Sequence, residues 1–158
     1  MRSVLVESGA SGYVQTIAIG PHRLKADEAA DAGGADKGPN PPELVLAALG
    51  ACKAMTVRMY AARKQWPLRA VRVTLEHSRL DGADEIDVTI SFAGELAEEQ
   101  RRRLLEIAEH CPVHRMLVSG PRIRSTLEPD GSAAIAGAVG VASAVESEVR
   151  PHAGDTSG

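Results

Sequence analysis

The chain has 158 residues, a formal net charge of −3 at pH 7, 44% hydrophobic residues and 3% aromatic residues. This length suits one domain whose core is built from aliphatic side chains. The even spread of charge excludes a clustered basic surface for nucleic acid, and no segment has the roughly 18–20 consecutive apolar residues of a membrane span. We therefore predict a cytoplasmic protein with neither a nucleic-acid nor a membrane partner.

The first predicted elements form a hairpin. Residues 12–19 roughly alternate between apolar and other side chains, which predicts a strand. Residues 22–27 follow the Gly20-Pro21 pair and are interpreted as the hairpin partner of that strand. Residues 31–41 are rich in Gly, Asp, Ala, Asn and Pro, which predicts a loop before the next element.

A long helix is predicted to follow this loop. Asn40 is a candidate N-cap, Pro41 occupies the first helical position and Glu43 the third. The run from residue 44 to residue 52 is apolar or small on every face, and such a helix is buried on every face. The pattern becomes one-sided further along, and Pro67 ends the helix.

The second half of the chain alternates strands and helices. Residues 69–77 and 85–92 each alternate and predict two strands, and the Asp81-Gly82 pair between them predicts a hairpin turn. The further predicted elements are an amphipathic helix over 97–110, a short helix over 113–117 after Pro112, and a last strand over 121–127. From residue 129 to residue 158 the Gly, Ala and Ser content predicts a mobile tail outside the domain of residues 1–128.

These elements predict an α+β fold, an antiparallel sheet with helices on one face. A central helix without a polar face needs cover from the sheet on one side and from something else on the other side. A second copy of the chain is the economical cover, so we predict an obligate homodimer.

Cys52 and Cys111 are the two cysteines of the chain. In a reducing compartment such residues are core residues, a redox pair or metal ligands. His110 and His114 flank Cys111 and, with Cys52, are a conceivable zinc set. Their spacing is not a standard ligand pattern and Pro112 interrupts it, so we predict no metal site.

Two segments that contain these cysteines resemble the OsmC/Ohr superfamily, and its OsmC-like branch most closely. The first is residues 37–55 (KGPNPPELVLAALGACKAM), and the second is residues 104–114 (LLEIAEHCPVH). Their order and separation also match, and with residues 22–28 (HRLKADE) the resemblance covers about residues 12–128. It implies an entwined α+β homodimer in which antiparallel sheets wrap a buried central helix, with two sites at the interface.

The resemblance also implies thiol-dependent reduction of organic hydroperoxides. Cys52 would attack the peroxide and become a sulfenic acid, and Cys111 would resolve it as a Cys52–Cys111 disulfide. No cofactor is expected beyond an external thiol reductant, either a simple dithiol or a lipoyl-type dithiol.

The attacking thiol needs a positive neighbour. Cys52 lies about 18 Å from the start of its helix, too far for the helix N-terminus to favour the thiolate, and burial alone raises a thiol pKa. The resemblance points to Arg23 as the cation, with His22 as the second choice. The other cations considered are Arg58, Arg63 and Arg115.

The acid that orients this cation in the peroxidase branch has no direct equivalent. Pro42 occupies its position, ten residues before the cysteine, and Glu43 is nine before. Nine residues turn a helix by about 900°, which places Glu43 opposite Cys52 and about 13.5 Å away. We favour a capping role for Glu43 and leave open a supporting role across the dimer.

The main alternative function is a binding protein for small hydrophobic ligands on the same fold, with little or no peroxidase activity. Met55, Met59 and Leu117 would line an apolar pocket in either case, while Leu49 is interpreted as a core residue. Apolar walls would favour an organic hydroperoxide over hydrogen peroxide.

Overall fold

The computed structural model describes residues 1–127. Residues 1–40 belong to one compact unit, and Pro41–Arg124 form a second. The mixed α+β architecture with antiparallel strands, predicted from the sequence, is confirmed. The predicted mobile tail over 129–158 lies outside the described residues.

The N-terminal unit contains a three-stranded antiparallel sheet in the order β1-β2-β3. The strands are β1 (Leu5–Ser8), β2 (Gln15–Ile19) and β3 (His22–Ala26). The predicted β2–β3 hairpin is confirmed, and its turn uses Gly20 at a φ of 59° that L-residues rarely adopt. The strand β1 was not predicted, because four residues carry little pattern and their pairing with β2 identifies them only in three dimensions.

A buried carboxylate closes the loop after β3. Asp27 is 2% exposed, and its Oδ1 accepts the backbone N–H of Glu28 at 2.9 Å. Its Oδ2 accepts the backbone N–H groups of Ala35 and Lys37, each at 3.0 Å. The hydrogen bond from Lys37 contributes most to lowering the pKa of Asp27, and burial opposes it. A single 3₁₀ turn (Ala30–Ala32) lies within the loop.

The second unit contains a long helix, a β-hairpin and two shorter helices. Its elements are α1 (Pro41–Arg63), β4 (Leu68–Leu80), β5 (Ala83–Gly94), α2 (Glu98–Glu109) and α3 (Pro112–Ser119). The predicted Asp81-Gly82 turn is confirmed, with positive φ at both residues. The strands extend beyond their predicted ends, because cross-strand pairing continues into the polar tips.

One face of α1 forms the core of this unit. Its buried residues recur at helical spacing as Leu49, Lys53, Val57 and Ala61. Gly50 allows a close approach to the sheet, because a Cβ there would lie 2.8 Å from Leu75 Cδ1. Val57 and Ala61 pack with Leu96 and with two α2 residues, Leu104 and Ala108. The interpretation of Leu49 as a core residue is confirmed, since it is 3% exposed.

The opposite face of α1 is open in the single chain. Met55 and Met59 are 63% and 66% exposed, so residues 1–127 leave part of this apolar helix uncovered. The prediction that no segment is apolar enough for a membrane span is wrong. Helix α1 is long and apolar enough, with a mean hydropathy of 1.4 over 18 residues, since averaging tolerates the interruption at Lys53. Core helices of soluble proteins share this composition, and the packing of α1 on β4, α2 and α3 fits such a helix.

The predicted last strand over 121–127 is also wrong. Those residues are exposed and lack regular secondary structure. A strand requires a neighbour for its N–H and C=O groups, and within residues 1–127 β4 and β5 pair only with each other. The local sequence alone therefore did not create a strand there.

Candidate active site at the two cysteines

The packing of α3 against α1 brings the two cysteines together. Both are free thiols, and Cys52 lies close enough to Cys111 to raise its pKa. Cys52 lies in the middle of α1, and Cys111 is the residue that caps the N-terminus of α3. The pair that the sequence singled out therefore lies close together within one chain.

The two thiols have unequal surroundings. Cys52 is partly exposed, whereas Cys111 is fully buried. The Sγ of Cys111 accepts the backbone N–H of His114 at 3.3 Å, a capping geometry in which the helix N-terminus favours a thiolate. Burial is the largest influence and raises the pKa of Cys111 above its ordinary value, and contact with Cys52 adds to it. The His114 N–H and the charge of Lys53 act in the opposite direction.

A buried lysine lies next to Cys52 in the sequence and near Cys111 in space. Lys53 is 1% exposed, and its Nζ donates to Glu109 Oε1 at 2.8 Å and to Ala108 O at 3.3 Å. The Nδ1 of His114 lies 3.3 Å from the same Nζ. The carboxylate, the carbonyl and the ring nitrogen together match in number the three N–H groups of an ammonium. We call Lys53, Glu109 and His114 the Lys53 cluster.

The Lys53 cluster extends from the core to the solvent. The Glu109 side chain is 49% exposed and that of His114 is 30% exposed. The hydrogen bond from Lys53 is the main reason that the pKa of Glu109 is lowered, with burial opposing it. Glu109 Oε2 also lies 3.6 Å from His114 Nδ1. The cluster therefore connects α1, α2 and α3 beside the thiols.

Sequence reasoning missed this cluster. Lysine is rarely fully buried, so Lys53 was not considered as a core residue. A signal was present, because Lys53 falls on the same i, i+4 stripe as Leu49, Val57 and Ala61. Its partner Glu109 lies 56 residues away in the sequence and only folding identifies it.

The predicted cation Arg23 lies on β3 in the N-terminal unit. Its guanidinium donates to the carbonyl oxygens of Gly20 and His22 at 2.8 and 3.0 Å within its own hairpin. Both Arg23 and His22 are exposed. Their role at Cys52 stays a prediction. Among the other cations, Arg58 donates to Arg69 O at 2.8 Å.

The remaining predicted residues occupy the ends and the open face of the helices. Glu43 lies in the first turn of α1, and its supporting role stays a prediction. Leu117 is 36% exposed, and Met55 and Met59 are more exposed still. An open groove of about 580 Å³ lies elsewhere, beside Tyr60, Trp66 and Arg103.

The histidines near Cys111 have other contacts. The ring of His110 lies 2.7 Å from Glu106 O, and that of His114 faces Lys53 and Glu109. Within residues 1–127, no group of three His, Cys, Asp or Glu side chains is arranged to hold a metal ion.

Comparison with protein families gives a match over most of the described residues. The family model described as "OsmC-like protein" matches residues 34–126, which include both cysteines and the whole Lys53 cluster. No curated protein matches the chain.

Several solved structures share this fold. An OsmC-like protein from Mycoplasma pneumoniae is 16% identical with a TM-score of 0.66, over 76% of this chain and 89% of its own. An organic hydroperoxide resistance protein OsmC from Legionella pneumophila is 22% identical with a TM-score of 0.56, over 74% and 88%. The organic hydroperoxide resistance protein OhrB of Bacillus subtilis is 23% identical with a TM-score of 0.51, over 76% and 92%.

Proposed function

Because the chain belongs to the OsmC-like protein family, we propose that it is a thiol-dependent peroxidase that reduces organic hydroperoxides. The observation that carries this proposal is the proximity of Cys52 to Cys111, which is close enough to raise the pKa of the Cys111 thiol. Two proteins of the same fold are named for organic hydroperoxide resistance, which supports the choice of substrate class.

The unequal burial of the thiols assigns their roles. Cys52 is the more accessible, so its thiolate attacks the terminal oxygen of the hydroperoxide. The O–O bond breaks, an S–O bond forms, and the alkoxide takes a proton and leaves as an alcohol. Cys111 then attacks the Cys52 sulfenic acid: an S–S bond forms, the S–O bond breaks and water leaves. An external dithiol, simple or lipoyl-type, reduces the disulfide and closes the cycle.

Arg23 is the proposed cation for the first step. A guanidinium beside Cys52 would favour its thiolate, the form that attacks the peroxide. The hydrogen bonds that Arg23 makes in the structure are to exposed backbone carbonyls of its own turn, and these are readily exchanged for other partners. His22 is the second candidate, and Glu43 is a candidate support across subunits.

The proposed working form is a homodimer. The open side of α1 presents Met55 and Met59, and Leu117 and Val118 of α3 are 36% and 76% exposed. An apolar surface of this kind on a core helix is expected to be covered by protein. In the dimer Met55, Met59 and Leu117 would line the substrate pocket and favour an apolar hydroperoxide.

Thiol counting with an organic hydroperoxide tests the proposed activity. The reduced protein is mixed with cumene hydroperoxide, and peroxide loss and free thiols are followed together. We expect one peroxide consumed per chain, loss of both thiols and a Cys52–Cys111 disulfide. Cys52→Ser should abolish peroxide loss, while the matched variant Cys111→Ser should still consume one equivalent and retain a sulfenic acid.

Two outcomes would contradict the enzyme. Unchanged peroxide consumption in Cys52→Ser would remove the assigned nucleophile. Intact thiols together with a tightly bound apolar molecule would favour the alternative, a binding protein for hydrophobic ligands.

Light scattering tests the proposed dimer. We expect twice the mass of the chain for the native protein and a shift toward the monomer for Met59→Lys. The control Arg102→Lys, at an exposed position of α2, should leave the mass unchanged. A native monomer would contradict the dimer.

A further inference from the structure

We propose that Lys53 is a positioning residue for the resolving thiol: held by Glu109 and His114, its ammonium stabilises the thiolate of Cys111 during attack on the Cys52 sulfenic acid. The proposal rests on the function proposed above. It concerns the second chemical step and a different thiol from the one assigned to Arg23.

The anchoring of Lys53 is the first observation. The side chain is 1% exposed, so the choice among its rotamers is limited by packing, and its three N–H groups meet acceptors on α2 and α3. A charge fixed in this way acts on its surroundings without reorganising when a neighbour becomes negative.

The second observation links Lys53 to Cys111 through one residue. The ring of His114 contacts Lys53 Nζ at 3.3 Å, and the backbone N–H of the same residue donates to Cys111 Sγ at 3.3 Å. The contact with Lys53 therefore holds in place the donor that caps the thiol. Lys53 acts on Cys111 both through its charge and by fixing this N–H.

The charges around Cys111 leave Lys53 as the stabilising cation on α1. Cys52 and Lys53 act on it from α1 and His114 acts from α3, while Glu109 and His110, at the end of α2, precede it in the sequence. The negative Glu109 is half exposed and is screened by solvent, whereas Lys53 is buried and is not. The charge of Lys53 therefore acts on the sulfur against burial and Cys52, which both raise the pKa of Cys111.

The attack of Cys111 on the Cys52 sulfenic acid requires stabilisation of the Cys111 thiolate. Cys111 must lose its proton to attack, and that proton is finally taken by the hydroxide that leaves Cys52 as water. Burial alone raises the pKa of the Cys111 thiol and reduces its thiolate fraction. A stability role by itself does not require a lysine, because apolar residues often replace buried charges without loss of stability.

Titration of a single thiol tests the proposal independently of peroxide chemistry. In a Cys52→Ser background, thiolate absorbance at 240 nm follows Cys111 against pH, with and without Lys53→Met. We expect Lys53→Met to raise the pKa of Cys111 by about one unit, a tenfold smaller thiolate fraction at a given pH. The control Arg58→Met removes a cation of the same helix that binds Arg69 O and should leave the titration unchanged. Equal titrations with and without Lys53 would overturn the proposal.

Single-turnover kinetics test the step itself. With cumene hydroperoxide, dimedone traps the Cys52 sulfenic acid and mass spectrometry follows the disulfide. Lys53→Met should leave sulfenic acid formation unchanged and slow disulfide formation about threefold, because the gain in nucleophilicity at higher pKa offsets part of the lost thiolate. The pH profile of disulfide formation should move upward by the same amount as the titration.

The possible failures are distinguishable. If no variant consumes peroxide, the proposed function fails, and the Cys111 titration still decides the role of Lys53. If Lys53→Met slows sulfenic acid formation instead, Lys53 serves Cys52 and the proposal is wrong. Lys53→Gln, which keeps hydrogen-bond donors without the charge, is measured in parallel and is used alone if Lys53→Met loses its far-UV circular dichroism.

Discussion

Asp27 and Lys53 are the buried charged side chains of the described residues, one in each compact unit. Asp27 is surrounded by backbone, and its carboxylate accepts three N–H groups of the loop that it closes. Lys53 is surrounded by groups from two other helices and lies beside two thiols. Both satisfy the rule that a buried charge is paired, and they do so in different ways.

The partners of a buried charge distinguish a purely structural role from one that can influence a reactive group. Backbone donors are fixed in number and do not titrate, so Asp27 is limited to holding its loop. The partners of Lys53 are side chains that titrate or react, so its charge is coupled to chemistry. The following changes test this contrast, from the largest expected effect to the smallest.

Removing the acid partner of Lys53 should have the largest effect. Glu109→Gln leaves the Lys53 ammonium buried without a counter-charge. Breaking a fully buried pair destabilises by about 3–5 kcal/mol, and because Glu109 is half exposed we expect about 2 kcal/mol less free energy of unfolding. Urea unfolding at pH 7 measures it.

A matched control is available on the same helix. Glu106 pairs with Arg103 at 2.7 Å, with both side chains more than half exposed. Glu106→Gln should change stability by less than about 0.5 kcal/mol, as for other exposed pairs. Equal losses in the two variants would show that the burial of Lys53 does not matter.

Removing the carboxylate of Asp27 should have a more local effect. In Asp27→Ala the N–H groups of Ala35 and Lys37 lose their acceptor, so their hydrogen exchange should become much faster. Exchange in α1 should not change. Asp31→Ala, at an exposed residue of the same loop, is the control and should leave both amides protected. Fast exchange throughout α1 in Asp27→Ala would contradict a role restricted to the loop.

Acid should weaken both regions. The pKa of Glu109 is lowered by Lys53, and that of Asp27 is lowered mainly by the Lys37 N–H. A lowered pKa in the folded state gives stability that is present above the ordinary carboxylate pKa of about 4 and is lost as pH falls through the lowered value. Urea unfolding between about pH 5 and pH 2 should show this loss. The fall in the free energy of unfolding with decreasing pH should be shallower in Glu109→Gln than in the native protein. An identical slope would exclude Glu109 as a contributor.

Removing Lys53 itself should have the smallest effect on stability. Lys53→Met removes the buried charge together with the free-energy cost of desolvating it, and it keeps most of the side-chain volume. We therefore expect the free energy of unfolding to change by no more than about 1 kcal/mol. Lys53→Met should therefore lower the free energy of unfolding less than Glu109→Gln does, although both variants break the same ion pair. A loss above about 3 kcal/mol for Lys53→Met would make Lys53 a structural residue like Asp27.

Much of the fold was predictable because its signals are local. The Asp81-Gly82 turn, the alternation in β4 and β5 and the helix start at Pro41 each follow from neighbouring residues. The prediction failed at 121–127, because the described residues offer that segment no partner strand. It also missed Leu5–Ser8, which form a strand by pairing with β2 although their own sequence carries little pattern.

The sequence by itself determined the pair of cysteine motifs, the family resemblance and the apolar helix that carries Cys52. Only the tertiary structure decided that Cys52 and Cys111 lie close together, that Cys111 is the buried thiol, and that Lys53 joins Glu109 and His114 near Cys111. The physical reason is separation along the chain: Lys53 meets partners 55, 56 and 61 residues away, and no local propensity encodes such contacts. They form because α2 buries Leu104 and Ala108 against α1, which brings Glu109 and the following helix α3 next to Lys53.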